Sequence, residues 1–180
     1  GVDSGAIGIN GIKEKDIVLE VAKEVIRLNR DLFGNTFDIY LTRYNDSLIS
    51  LKDRTKLVEV LQPDVFISIH CNQAARNAAQ GIEIYVQQPK VTMNLDLQSK
   101  SENLSEALLS EFDKALGFKI RGMKYANFQV LRKTQNICPG VLLELGFLSN
   151  RAEAEHSGRR ESVRGYGMVI LKAIFNYLKG

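Results

Sequence analysis

The feature that most constrains the fold is the apolar run VLLELGF at residues 141–147. A run of this kind, preceded by Pro-Gly, is typical of a strand buried on both faces of a sheet. Glu144 lies in the middle of the run, and burying an unpaired carboxylate costs on the order of several kcal/mol. Glu144 must therefore be paired with a cation, be protonated, lie beside a metal, or lie at a strand end where a cleft begins. The segment alone leaves these alternatives open.

The rest of the chain alternates between helical and strand patterns. Apolar residues at helical spacing predict helices over residues 17–26, 50–61, 104–115 and 163–177. Alternating or continuous apolar runs predict strands over residues 37–43, 64–70, 81–86, 128–132 and 140–147. Interleaved strands and helices predict an α/β domain with a single open, twisted, mostly parallel sheet and helices on both faces.

Length and composition narrow the function classes. The chain has 180 residues, which is the size of one ordinary domain, so we expect residues 1–180 to form a single unit. A net charge of +3 is small and dispersed, so no nucleic-acid partner is expected. No apolar run approaches the ~20 residues of a membrane helix, so no membrane span is expected. We also expect the protein to be a monomer. Cys71 and Cys138 lack metal-site spacing, and the sequence leaves open whether they pair.

Polar residues close two of the predicted strands, where ligands bind in open α/β sheets. His70 and Asn72 end one strand, Glu144 lies late in another, and Glu14 begins the first helix after a glycine-rich loop. Each also has a structural alternative. His70 could be a buried structural histidine, Asn72 a strand-end cap, Glu144 a member of an ion pair and Glu14 a carboxylate that complements the helix dipole. We expect His156, the other histidine, to lie on the surface. A histidine and two carboxylates match a catalytic zinc site with a glutamate base, provided that one more ligand is supplied.

Several segments resemble those of one protein family, both in their amino-acid sequence and in their order along the chain. They are GVDSGAIGINGIKEKD, LTR, SLKDR, FISIHCN, GIEIYV, RGMKYANFQVLRKT and PGVLLELGFLSN. Together they resemble the catalytic domain of zinc-dependent N-acetylmuramoyl-L-alanine amidases, which cut the amide between N-acetylmuramic acid and L-alanine in bacterial peptidoglycan. The resemblance implies that Glu14 and His70 are zinc ligands, that Glu144 is the catalytic carboxylate, and that Asn72 holds substrate or orients its loop.

One departure from the family concerns the start of the chain. Family members open with a strand leading into a Gly-His-Gly-Gly segment whose histidine is the first zinc ligand, and Gly1 matches the last glycine of that segment. We therefore expect the catalytic domain to be N-terminally incomplete, with the first strand and a further His ligand upstream of Gly1. Arg43 and Arg54 match family positions and are expected to form structural ion pairs. Residues 87–104 are too few for an occluding helix, so an open cleft is expected.

The resemblance also implies a mechanism and a location. Glu144 would take a proton from a zinc-activated water and return it to the leaving amine of L-alanine. Because the substrate is peptidoglycan, the protein is expected to be extracytoplasmic, either periplasmic or secreted. The alternative is an inactive peptidoglycan-binding module derived from such an amidase.

Overall fold

The fold is an open four-stranded sheet between helices, in a computed structural model that describes residues 1–9, 11–91 and 93–179. The helices are α1 (Glu14–Leu32), α2 (Leu51–Leu61), α3 (Leu95–Leu116), α4 (Gln129–Thr134), α5 (Arg151–Ser157) and α6 (Arg160–Lys179). The strands are β1 (Phe66–Asn72), β2 (Ile82–Gln87), β3 (Ile120–Ala126) and β4 (Gly140–Phe147). The strand order is β1-β4-β2-β3, with β1 parallel to β4, β2 parallel to β3, and β2 antiparallel to β4. The predicted open and mostly parallel sheet is confirmed.

The two faces of the sheet have different partners. Val141, Leu143 and Leu145 of β4 are buried in the main core, which α1, α3 and α6 complete. Alternate residues of a strand point to opposite faces, so Leu142 and Glu144 lie on the other face. There Leu142 packs against α4, and α4 contacts α2. Helices therefore lie on both faces, and the polar residues of β4 lie on the more thinly covered one.

Two predicted strands are wrong. Residues 129–132 lie in α4 and Phe128 is its N-cap, because Val130, Leu131 and Thr134 bury one helical face and the Thr134 hydroxyl donates to the Val130 carbonyl. The strand of this region is β3, where Gly122 and charged residues interrupt the apolar pattern. Residues 37–43 have no regular secondary structure and pair with no strand among the described residues; they line one side of a trench whose other side is the edge strand β1. The sequence also gave no sign of α5.

The trench is a cavity with a volume of about 1300 Å³. Residues 36–43 form one wall, β1 forms the opposite wall, and side chains of α1 and α2 contribute to the lining. Glu14, His70 and Glu144 also line it. The trench therefore opens onto the polar face of the sheet.

Several smaller expectations are also corrected. Arg43 donates to the carbonyls of Lys15 and Asn45, and Arg54 to the Ile49 carbonyl and the Thr42 hydroxyl, so their partners are carbonyls and a hydroxyl rather than carboxylates. Arg43 thus joins α1 to the loop at Asn45, and Arg54 joins α2 to residues 42 and 49. His156 is half-buried, with its ring centroid 5.1 Å from that of Phe118, because α5 packs it against an aromatic cluster.

The segment expected to be a short loop is mostly helical. Helix α3 begins at Leu95, and the side chain of Asn94 caps it by accepting from the backbone amides of Asp96 and Leu97. Helix α3 packs against α6 and the apolar face of the sheet, opposite Glu144. Within residues 87–91 and 93–104, the helical part does not lie over Glu144. The open cleft remains a prediction. None of the helices described is long and apolar enough to cross a membrane.

Asn29 fastens the trench wall to the core. Its buried side chain donates to the Phe37 carbonyl at 2.8 Å and accepts from the Phe37 amide at 3.3 Å. Asn29→Ala leaves both groups unpaired, so we expect the free energy of unfolding to fall by about 1–3 kcal/mol in urea titrations. The control is Asn103→Ala at an exposed position of α3, which should change it by no more than about 0.5 kcal/mol. Equal effects of the two substitutions would contradict this role of Asn29.

Candidate catalytic site

The fold brings the predicted site residues to one place on the polar face. His70 and Asn72 lie at the end of β1, Glu144 lies beside them in β4, and Glu14 is the first residue of α1. His70 is the register partner of Glu144, which is in turn the register partner of Glu83 in β2. One row across three strands therefore carries a histidine and two carboxylates.

Glu14 does more than complement the helix dipole. Its Oε1 lies 2.7 Å from Nδ1 of His70 and accepts from the Cys71 amide at 3.3 Å, while its Oε2 accepts from the Ala6 amide at 2.7 Å. Burial raises the pKa of Glu14, but the hydrogen bonds to His70 and to the two amides outweigh it, so the pKa lies below its usual value. Glu14 is therefore held as a carboxylate aimed at His70.

Gly5 allows the loop before α1 to approach Glu14. A Cβ at this position would lie 2.3 Å from Oε2 of Glu14, and Gly5 has a φ of +63°. A side chain at Gly5 would displace the carboxylate in addition to straining the backbone. The glycine-rich loop thus shapes the environment of Glu14.

His70 presents its two ring nitrogens to different partners. Nδ1 faces Glu14, and Nε2 lies 3.0 Å from the hydroxyl of Ser68 on the same strand. The ring is partly exposed at the end of the trench. A histidine whose outer nitrogen is fixed by a hydroxyl presents the other nitrogen in a defined direction.

Glu144 is buried without compensation. It is 9% exposed, and its Oε2 has no hydrogen-bond partner among the described residues. Burial raises the pKa of Glu144 to about 7; the proximity of His70 lowers it, and the negative charges of Glu14 and Glu83 raise it further. Within the described part of the chain no Lys or Arg forms an ion pair with this carboxylate, so the ion-pair alternative is not supported. A proton acceptor with this pKa suits general base chemistry at neutral pH.

Sequence reasoning missed Glu83, which lies next to Glu144. Glu83 is 2% exposed; Oε1 accepts from Nδ2 of Asn72 and the hydroxyl of Tyr85, and Oε2 from Nε of Arg121 and Nζ of Lys124. Burial alone would raise the pKa of Glu83, but the hydrogen bonds from its partners lower it below its usual value. A glutamate in the middle of the alternating strand GIEIYV was a possible signal. Asn72 thus serves to link β1 to β2.

The fit of a metal can be judged from the donor atoms. Two ligands of a tetrahedral zinc ion, each about 2.0–2.1 Å from the metal, lie roughly 3.3 Å apart. Oε1 of Glu14 and Nδ1 of His70 are 2.7 Å apart, so a small side-chain rotation would let both bind one ion. The described residues contain no group of three His, Cys, Asp or Glu side chains placed to hold a metal. Glu14 and His70 therefore fit as part of a zinc site that needs a further ligand.

Comparison with known proteins shows the family to which the chain belongs. Residues 1–176 match the family model of N-acetylmuramoyl-L-alanine amidases. The chain is 32% identical to the uncharacterized protein YqiI of Bacillus subtilis, covering 98% of this chain and 80% of YqiI. It is 34% identical to the N-acetylmuramoyl-L-alanine amidase LytC of B. subtilis, covering 84% of this chain and 28% of LytC. The catalytic domain of CwlV, an N-acetylmuramoyl-L-alanine amidase from Bacillus (Paenibacillus) polymyxa var. colistinus, superposes with a TM-score of 0.85 at 32% identity, covering 99% and 92% of the two chains.

The contact between Gly5 and Glu14 predicts a matched pair of variants. Gly5→Ala should displace Glu14 and weaken zinc binding by about 10- to 100-fold, the usual cost of disturbing a group that supports a ligand. The control is Gly11→Ala, because Gly11 also has a positive φ, of +73°, but a Cβ there meets nothing within 4 Å. Zinc titration of both metal-free proteins measures the difference. Equal affinities for the two variants would contradict a role of Glu14 as a ligand.

The burial of Glu144 predicts a pH-dependent cost in the metal-free protein. The folded-state pKa of Glu144, about 7, exceeds the ordinary value of 4.5, so the proton is bound more tightly in the folded state. The stability that comes from this protonated carboxyl is fully present below pH 4.5 and is lost as the pH rises through 7. Glu144→Gln cannot ionise and avoids this loss. Its free energy of unfolding, relative to that of the parent protein, should therefore rise by up to about 3 kcal/mol between pH 4.5 and 8. Denaturant unfolding at several pH values measures it. Glu106→Gln, at an exposed position of α3, should follow the parent protein, and the same behaviour in Glu144→Gln would refute the burial argument.

Proposed function

Since the chain belongs to the family of N-acetylmuramoyl-L-alanine amidases, we propose that it hydrolyses the amide between N-acetylmuramic acid and L-alanine in peptidoglycan, with Glu144 as the catalytic base. The observation that carries the assignment of Glu144 is its buried carboxylate beside His70 and Glu14, of which one oxygen has no hydrogen-bond partner among the described residues. A carboxylate kept without a cationic partner destabilises the fold, so its retention indicates a chemical role.

The side chains divide the work as follows. Glu144 takes a proton from the attacking water through its unpartnered oxygen, and the same carboxyl returns the proton to the leaving amine of L-alanine. In the metal-free protein, burial raises the pKa of Glu144 to about 7, so this carboxylate is a better proton acceptor than an exposed glutamate. Burial in β4 fixes the direction of the carboxylate. Asn72 is held by Glu83, and we propose that it orients the substrate at the strand end.

We assign Glu14 and His70 as zinc ligands within this proposal. When bound, zinc would supply a Lewis acid that polarises the scissile carbonyl and makes water more acidic. A catalytic zinc site usually takes three protein ligands, so one further ligand is required, and we propose that it is the histidine expected upstream of Gly1. The strand carrying it would lie along the trench, where the outer edge of β1 has no partner among the described residues. Residues 1–180 would then be part of one catalytic domain.

The substrate determines where the protein acts. Peptidoglycan lies outside the cytoplasmic membrane, so we propose a periplasmic or secreted protein. The chain spans 80% of YqiI but only 28% of LytC. The proposal therefore does not extend to the parts of such relatives that lie outside the matched region.

The decisive experiment replaces Glu144 by glutamine, which preserves shape but cannot accept the proton. We expect the Glu144→Gln protein to fold and to bind zinc, while the rate of amide hydrolysis on muramyl peptides falls by about 100- to 10,000-fold. An inactive binding module would show no zinc-dependent hydrolysis even before substitution. Hydrolysis at the parent rate by a folded, zinc-loaded Glu144→Gln protein would refute the assignment.

Glu153→Gln provides the contrasting variant. Glu153 accepts from the backbone amides of Gly81 and Phe147, both at 2.7 Å, and thus ties β2 and β4 to α5. Its loss should lower stability by about 1–3 kcal/mol. Turnover per folded molecule should remain, which separates a structural carboxylate from the catalytic one.

A further inference from the structure

The polar row on the sheet does not end at Glu144. It continues through Glu83 in β2 to two basic residues of β3, Arg121 and Lys124, both of which donate to Oε2 of Glu83 at 2.6 Å. Glu83 is fully buried, whereas the side chains of Arg121 and Lys124 remain 32% and 38% exposed. The row therefore leads from the proposed catalytic base to a partly exposed basic cluster at the far edge of the sheet.

The Glu83 carboxylate holds both cations at the edge of the sheet. Its two oxygens accept four hydrogen bonds, which fill their acceptor sites, from Asn72, Tyr85, Arg121 and Lys124. The charge of Arg121 also acts on the carboxylate of Glu153. Lys124 keeps 38% of its side chain exposed, so its ammonium remains accessible to a further anion.

Both cations are held in fixed positions. The ammonium of Lys124 lies 5.7 Å from the centre of the Tyr85 ring, and the guanidinium of Arg121 lies 4.9 Å from the centre of the Phe147 ring. Aromatic faces stabilise cations in this geometry. The ammonium uses one donor on Glu83 and keeps further N–H groups for a ligand, as the guanidinium does. A fixed cation binds an anion without the entropic cost of ordering a long side chain.

The spacing matches the proposed substrate. Directly opposite residues of an antiparallel pair, such as Glu83 and Glu144, have Cβ atoms about 5 Å apart, and Lys124 Nζ lies 2.6 Å from the Glu83 carboxylate. In a peptide, a carboxylate on the residue after L-alanine lies roughly 6 Å from the scissile nitrogen, given standard bond lengths. A stem peptide that runs along the row would bring such a group to Lys124.

We propose that Lys124 and Arg121 bind a free carboxylate on the residue that follows L-alanine in the peptide stem. This inference rests on the proposed amidase function, and it adds a specificity: stems in which that carboxylate is free are favoured over stems in which it is a carboxamide. The buried Glu83 holds the two cations and Asn72 in register with Glu144.

The test compares two muramyl dipeptides that differ only at the second residue, one with a free carboxylate and one with a carboxamide. We expect the parent enzyme to favour the free carboxylate in kcat/KM by about 10- to 100-fold, the effect of a charge-assisted hydrogen bond. Lys124→Met should lower kcat/KM for the carboxylate substrate by a similar factor while leaving the carboxamide substrate nearly unchanged. Lys124→Glu should reverse the preference.

Lys119→Met serves as the matched control, because Lys119 is exposed just before β3 and should leave the preference intact. Equal hydrolysis of both substrates by the parent enzyme, or an equal loss on both substrates in Lys124→Met, would overturn the proposal. Failure of the proposed function itself would look different, because the parent enzyme would then hydrolyse neither substrate. Folding of each variant is checked by its unfolding midpoint.

Discussion

The burial of Glu144 in a central strand is the constraint on which the rest of the site depends. Strand β4 has neighbours on both sides and an apolar face packed under three helices, so its backbone position is fixed by the main core. The carboxylate on the opposite face cannot move toward water without disturbing that packing. The fold therefore tolerates a poorly solvated group because the same strand contributes much of the apolar burial that stabilises the domain.

Three carboxylates on one face show how environment separates chemically identical side chains. Glu83 is saturated with donors and holds neighbouring side chains in place. Glu14 is fixed by two backbone amides and directed at His70. Glu144 alone keeps an oxygen without a partner among the described residues. The hydrogen-bond donors around each carboxylate, more than its depth of burial, distinguish the three roles. Glu83 is the anchor, Glu14 the candidate ligand and Glu144 the candidate base.

The sequence was informative where local pattern and burial agree. The run at 140–147 predicted β4 with its bounds, and the polar ends of two strands located His70 and Glu144, because parallel neighbours β1 and β4 end at the same edge. It misled at residues 128–132, where apolar residues suit a strand or a helix and only packing against Leu142 decides. Glu83 could not be assigned from sequence, since its donors Arg121 and Lys124 come from a strand that the pattern did not reveal.

The strand order has a consequence for how the chain acquires its structure. Strand β4 lies between β1 and β2, yet it is the last of the four strands to be synthesised. Until it emerges, β1 has no partner among the described strands, and its unpaired edge is open to association with other chains. Pairing of segments so distant in sequence is slow, because a long loop must close first. A nascent chain that ends before β4 thus carries Glu14 and His70 but lacks the strand that joins β1 to β2 and β3.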